Sequence, residues 1–279
     1  MNETPRHTLV NGAVADTVAV TDRGLLYGDG VFETLAVING VPQLWARHIA
    51  RLQEGCARLG ITPVDATLLA EEAQQLCTAA DRAVLKIIIT RGSGGRGYRP
   101  DVSCAPTRIL QRHPWPDYPP GCATDGVAVR LCRLRMGHNP LLAGIKHLNR
   151  LEQVLARGEW DDPDIREGLL QDQDGNLIEG TMSNVCLVQG QQLLMPDLMR
   201  CGVAGVIRAL LLELAAAQGI AAAVRDVTVN ELAMADEVFL CNSVIGIWPV
   251  VRIDDHDYLP GQLTQQLQGL LYSYPGNEH

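Results

Sequence analysis

An α+β fold of two domains is predicted by three features of the sequence. Segments with strand character cluster around hairpin turns in both halves of the chain, instead of alternating regularly with helices. The 279 residues are 47% apolar, enough for a substantial core in one large domain or two modest ones. HPWPDYPPG (113–121) packs four prolines into nine residues, a stiff stretch unsuited to continuing a sheet or helix. It reads as a linker between a small N-terminal domain, 1–112, and a larger C-terminal one, 122–279.

In the first half, HTLVNG suggests a short strand. VFETLAVINGVPQLW reads as two strands joined by Asn39-Gly40, a strong hairpin signal. A helix follows in ARHIARLQEGCARLG, where Ile49, Leu52, Cys56 and Leu59 recur at helical spacing and Gly60 supplies a stop. His48 and Arg51, three apart, share another face of it. DATLLAEEAQQLCTAA is a second helix with Asp65 as its N-cap, and AVLKIIIT and PTRILQRH are strands on either side of a glycine-rich loop.

The second half opens with the strand GVAVRLC, the loop RMGHNPLLAGIK and a helix over LNRLEQVLARGEW. EGLLQ, NLIEG and MSNVCLVQGQQLLMP then suggest a run of antiparallel strands, with a turn at Asp174-Gly175. VAGVIRALLLELAAAQG is the clearest helix, with Gly202 and Gly205 at its start and Gly219 at its end. AAAVRDVTV, a short NELAMA helix, DEVFLCNS, GIWPVVRI and a helical LTQQLQGLLYSY complete the chain.

A formal charge of -9 argues against general affinity for nucleic acid or anionic lipid. The N-terminus MNETPRHTLV has no apolar signal core and no later segment is long and apolar enough to span a bilayer, so a cytoplasmic protein is expected. The eight cysteines at 56, 77, 104, 122, 132, 186, 201 and 241 form no C-x-x-C and are expected to be reduced thiols, assigned neither to disulfides nor to metal. There is also no H-E-x-x-H, no paired metal-ligand spacing and no G-x-S-x-G.

Gly92-Ser-Gly94-Gly-Arg-Gly97 matches the spacing G-x-G-x-x-G, but its context is wrong for a dinucleotide. That site needs a helix directly after the loop, whereas here Tyr98-Arg-Pro100-Asp leads to another strand, and the acid at suitable distance, Asp117, lies among the prolines. The plain reading is a wide hairpin loop that uses glycine for positive φ. A functional reading adds that Arg91 and Arg96 can present planar cations to a carboxylate. A protein that reads RNA through this Arg/Gly loop is a rival of another class, disfavoured by the acidic balance and the absence of flanking aromatics.

Of 23 basic residues only Lys86 and Lys146 are lysine, so chemistry needing a primary amine has two places to happen. Lys86 alternates with Leu85 and Ile87 on a strand and is expected to reach solvent. Lys146 ends the apolar stretch LLAGI just before a helix, where poor solvation of its charge favours the neutral amine a Schiff base requires. Glu179, in LIEGTMSN, is an acid at a strand end that is either an ordinary edge residue or the partner of a cofactor's ring nitrogen. Val203 to Arg208 open a helix with small residues, leaving N–H groups for a phosphate, and Arg51 can add a counter-charge.

Together VTDRGLLYGDGVFETL, HIARL, RGSGGRGY, GHNPLLAGIKHLNRLEQVLAR, IEGTMSNV and VAGVIR resemble, in order and over essentially the whole chain, the fold type IV pyridoxal-phosphate enzymes. That group holds the branched-chain and D-amino-acid aminotransferases. RGSGGRGY and NPLLAGIKHLNRLEQ resemble most closely its aminodeoxychorismate lyases. The resemblance implies that Lys146 carries pyridoxal 5'-phosphate, that Glu179 holds the pyridine nitrogen, and that Arg51, Val206, Ile207 and Ser243 hold the phosphate. It implies Arg91 and Arg96 on the substrate side, a small-molecule substrate with carboxylates, a cofactor between the domains and a homodimer. An aminotransferase of the same fold, for D- or branched-chain amino acids, is the alternative activity.

Overall fold

The computed structural model describes residues 7–100 and 104–277 and divides into two compact units. The first comprises residues 1–116 together with Lys146–Asn149; the second comprises Asp117–Ile145 and the chain from Arg150 onward. The stretch after Pro100 that includes Asp101 lies outside the described residues, as do residues 1–6 of the N-terminus. No helix among the described residues is long and apolar enough to cross a membrane.

The first unit contains β1 (Thr8–Val10), β2 (Ala13–Val14), α1 (Arg23–Tyr27), β3 (Gly30–Ile38), β4 (Val41–Pro42), α2 (Trp45–Leu59), α3 (Ala66–Cys77), β5 (Arg82–Thr90) and β6 (Thr107–Pro114). Its antiparallel sheet runs β2-β1-β6-β5-β3-β4. Asn39 and Gly40 both adopt positive φ, which matches the turn to the twist of the strands it joins. Leu85, Ile87 and Ile89 alternate along β5 and are fully buried. Ile49, Leu52 and Cys56 form the buried stripe of α2, which packs on β3. Each such side chain contributes on the order of 2 kcal/mol when removed from water. Asp65 caps α3 by accepting from the Thr67 amide. β6 runs further than the proline content suggests, because His113 and Pro114 still pair with Val84 and Ala83.

The second unit contains β7 (Val127–Met136), α4 (Leu151–Arg157), β8 (Ile165–Asp172), β9 (Leu177–Gly180), β10 (Asn184–Gln189), β11 (Gln192–Pro196), α5 (Val206–Ala217), β12 (Ala222–Arg225), α6 (Val229–Ala233), β13 (Glu237–Asn242), β14 (Gly246–Ile253), β15 (His256–Asp257) and α7 (Gln262–Tyr272). Its sheet is ordered β12-β11-β10-β13-β14-β7-β8-β9, with β15 on β14. The antiparallel run expected here holds for β8–β9 and β10–β11, but β7 pairs in parallel with both β8 and β14, and β11 with β12. Parallel neighbours need a crossover, and α4 and α5 supply those of β7–β8 and β11–β12. Cys132, Met136, Ala156, Trp160, Leu170 and Ile178 form one core, while Val129, Leu169, Val185, Leu240, Trp248 and Val250 belong to another.

The helix expected from Leu148 starts only at Leu151. Residues 146–149 are held against the start of β3 instead: the Phe32 amide donates to the Lys146 carbonyl at 2.9 Å and the Leu148 amide to the Gly30 carbonyl at 3.0 Å. Tertiary pairing to the start of β3 thus outweighs helix propensity over these residues.

Candidate functional site

Lys146 is half-buried, on the segment that pairs with β3. Its Nζ lies 4.4 Å from the centre of the Phe32 ring. Lys86 does not simply reach solvent: it is also half-buried, with Nζ 5.4 Å from the same ring, because Thr34 stands opposite Lys86 in the β3–β5 register. The two lysines of the chain therefore lie beside one aromatic ring.

The residue after Phe32 anchors Arg51. Glu33 is fully buried and accepts from Arg51 Nε at 2.7 Å and Nη2 at 2.6 Å, the fork-to-fork geometry that fixes a guanidinium plane. His48 Nδ1 meets Glu33 Oε2 at 2.6 Å. Burial pushes the Glu33 carboxyl up, but Arg51 and His48 outweigh it and hold the group down at about 2. Burial keeps His48 below its ordinary range against the pull of Glu33. A neutral imidazole that donates from Nδ1 leaves Nε2 as an acceptor, and this atom is buried with no hydrogen-bond partner among the described residues.

The loop after β5 separates the two arginines assigned to substrate. Arg91 is buried and its donors point inward: Nε and Nη2 bond Asp29 at 2.7 and 3.0 Å, Nη1 bonds the Gly60 carbonyl and Nη2 the Leu59 carbonyl. With four of five N–H groups so placed, Arg91 ties the end of α2 to the segment before β3. Asp29 also accepts from Arg23, and these hydrogen bonds and charges overcome burial to hold its carboxyl below the usual range. Arg96 is exposed. Gly92 has φ +89°, and a Cβ there would stand 2.0 Å from the Ala105 carbonyl oxygen, so the loop's entry requires glycine.

In the second unit Glu179 lies on β9, is 4% exposed, and accepts from the Val203 amide at 2.8 Å and from Gln153 Nε2 at 3.3 Å. Arg150 adds a nearby positive charge; burial depresses its pKa, and Glu179 and Glu152 oppose that. Gly144 pairs with Val203, so the strip 202–204 bonds both Glu179 and the chain two residues before Lys146. Beyond it α5 begins at Val206, later than the expected opening at Val203, with Gly205 as N-cap, no side-chain cap and no acid in its first turn. A Cβ on Gly205 would meet Asn184 Oδ1 at 2.0 Å, and Asn184 itself bonds the Val203 carbonyl. Val206 and Ile207 thus stand where helical amides have no partner within the helix. Ser243 follows β13 in a turn held by Asn242 Oδ1, which accepts from the amides of Val244 and Ile245.

Sequence reasoning missed the side chains that support these groups. Glu33 and Gln153 are polar residues at strand and helix positions that only their contacts single out, and His48, placed by its spacing beside Arg51, shows its partner Glu33 only in the structure. Glu167 is the clearest case: 1% exposed, it accepts from the amides of Thr181 and Met182 and the hydroxyls of Thr181 and Ser183, fixing the turn after Glu179. Its signal in sequence is only an acid inside an apolar strand, followed fourteen residues later by T-M-S.

Residues 30–253 match the family described as Amino-transferase class IV. The chain is 36% identical to an aminodeoxychorismate lyase of Vibrio harveyi, over 94% of this chain and 98% of that one. It is 28% identical to a D-alanine aminotransferase of Bacillus licheniformis, over 94% and 95% of the two chains. The crystal structure of 4-amino-4-deoxychorismate lyase from Pseudomonas aeruginosa superimposes with a TM-score of 0.92 at 52% identity, covering 96% of this chain and 99% of that one. With more than half of its length inside the family's bounds and the fold shared along nearly all of it, the chain belongs to the class IV aminotransferase family of fold type IV enzymes.

Proposed function

We propose that this protein is a pyridoxal-phosphate-dependent lyase that converts 4-amino-4-deoxychorismate to 4-aminobenzoate and pyruvate, a step in folate precursor synthesis. The observation that carries the reading is the 52% identity to the Pseudomonas aeruginosa lyase along 96% of the chain, against 28% for the D-alanine aminotransferase. The proposal extends to a cytoplasmic homodimer.

The residues present suit the cofactor. An uncapped helix start, with glycine admitted where a side chain would collide with Asn184, suits a phosphate, and Arg51 brings a guanidinium of fixed plane. A buried carboxylate with a hydrogen bond on each oxygen suits a protonated pyridine nitrogen. In this assignment the amides of Val206 and Ile207, with Arg51 and Ser243, hold the phosphate, Glu179 holds the ring nitrogen's proton, and Lys146 makes the covalent attachment. Pyridoxal phosphate, when bound, supplies an electrophilic carbon for the substrate amine and a ring that accepts an electron pair.

Once displaced by the substrate's amine, Lys146 is a primary amine able to take the proton from C4. Loss of that proton and cleavage of the C3–O bond leave the ring aromatic and release enolpyruvate, which takes up a proton to become pyruvate. Glu179 keeps its positive partner charged while the electron pair is delocalised, and Arg96 supplies a cation for one of the two substrate carboxylates. Lys146 then re-forms its attachment and releases 4-aminobenzoate.

The test compares kcat/KM for aminodeoxychorismate with that for D-alanine or L-leucine plus 2-oxoglutarate. The lyase substrate should be preferred by at least about a hundredfold, roughly 3 kcal/mol in transition-state binding, and Lys146→Ala should abolish turnover of every donor. A preference for an ordinary amino acid would instead make the protein an aminotransferase.

A further inference from the structure

Arg23 spans the whole glycine-rich loop. Its backbone amide donates to the Gly92 carbonyl at 2.9 Å, while its guanidinium donates from Nη1 to the Gly97 carbonyl at 2.9 Å and from Nη2 to the Tyr98 carbonyl at 3.0 Å. The remaining edge, Nε, bonds Asp29 Oδ2 at 2.9 Å, the oxygen that Arg91 Nε also bonds at 2.7 Å. Arg23 is 4% exposed, and it lies 4.8 Å from the centre of the Tyr27 ring, which packs at 5.5 Å against Tyr98. Asp22 binds the loop's base, accepting from the hydroxyls of Thr90 and Thr107 at 2.9 and 2.7 Å.

We infer that Arg23, Asp29 and Arg91 form one clamp whose function is to hold the loop 92–98 in the shape that offers Arg96 to a carboxylate of the substrate. Arg91 is thereby a positioning residue, and substrate contact falls to Arg96. The physical reason lies in composition. A loop with glycine at 92, 94, 95 and 97 has a large backbone entropy to lose if it is to present a fixed cation. Holding Gly92 at one end and Gly97 and Tyr98 at the other leaves little of that entropy to be lost on binding. A guanidinium is suited to the task because its three edges can meet two carbonyls and a carboxylate at once, which an ammonium cannot do in fixed geometry. The inference rests on the lyase reading, since an ordinary amino acid carries only one carboxylate for the site to receive.

The test uses the cofactor-loaded enzyme and chorismate as probe, which carries the substrate's two carboxylates but a hydroxyl in place of the amine and so binds without reacting. Arg96→Ala should weaken chorismate by about tenfold or more, the scale of a charged hydrogen bond. Arg23→Lys should weaken it to a similar degree and speed deuterium exchange at residues 93–98. The Arg23→Lys/Arg96→Ala double variant should bind no worse than Arg96→Ala alone, because both lose the same contact. In turnover, each single variant should raise KM for aminodeoxychorismate more than it lowers kcat. Asp29→Asn, which keeps side-chain shape, serves in the same cycle if Arg23→Lys lowers the melting temperature. Multiplying effects in the double variant, or unchanged affinity in Arg96→Ala or Arg23→Lys, would overturn the inference while the wild type still formed 4-aminobenzoate. A wild type that neither bound chorismate nor formed 4-aminobenzoate would overturn the functional reading itself.

Discussion

Glu33 fixes Arg51, one of the proposed phosphate contacts, through two hydrogen bonds. It is fully buried beside Arg51 and His48, with its carboxyl held at about 2 against an ordinary 4.5. A depressed carboxylate contributes stability that is complete above its unfolded pKa and disappears as pH falls through the folded value. The contribution of Glu33 should therefore be full above about pH 4.5 and fade towards pH 2, amounting to on the order of 3 kcal/mol at neutral pH. Denaturant titrations of wild type and Glu33→Gln at several pH values check this: the gap between them should narrow over that window. A constant gap would mean that the effect is one of packing. At this scale the sequence was partly legible. Lys146 stood out because the chain has only two lysines, and Glu179 because an acid follows two apolar residues. The pairings of the arginines were not legible, since Asp29 and Arg91, or Glu33 and Arg51, meet only after the strands and helices have packed.

Among the elements, those with strong local signals appear where the sequence puts them. The Asn39-Gly40 hairpin, the Gly60 stop of α2 and the Asp65 cap of α3 follow from turn chemistry, and the body of α5 follows from periodicity although the helix starts three residues later than expected. The exceptions have tertiary causes. Residues 146–149 stay out of the helix because β3 pairs with them, and α1, only five residues long, depends on an Asp22 cap that lacks any periodic pattern behind it. The parallel pairs β7–β8 and β11–β12 were within reach of the sequence, since each has a helix between its strands, but the nearby hairpin turns obscured them. The loop 92–98 makes its own prediction. Gly92→Ala would face both positive φ and a carbonyl at 2.0 Å, and should lower stability by about 2 kcal/mol or more. A chemical denaturation curve is the check, and a loss under about half a kcal/mol would show that the loop can relax.

For the molecule as a whole, the α+β class and the family are carried by motifs in fixed order from Val20 to Arg208, and the match over residues 30–253 agrees with them. Association of chains was suggested only by resemblance. The surface adds a physical motive: Leu151, Val154 and Leu155 on α4 are each more than 60% exposed at helical spacing, an apolar stripe that a lone chain would leave in water. Sedimentation equilibrium of the holoenzyme should give twice the chain mass of 30.3 kDa, and a single-chain mass at micromolar concentration would contradict the homodimer. The central claim concerns the reaction. Its most direct test is to supply freshly generated aminodeoxychorismate to the cofactor-loaded protein and quantify 4-aminobenzoate and pyruvate in the same sample. The account predicts equal amounts of the two, both dependent on Lys146; conversion of a D- or branched-chain amino acid to its keto acid with neither product formed would contradict it.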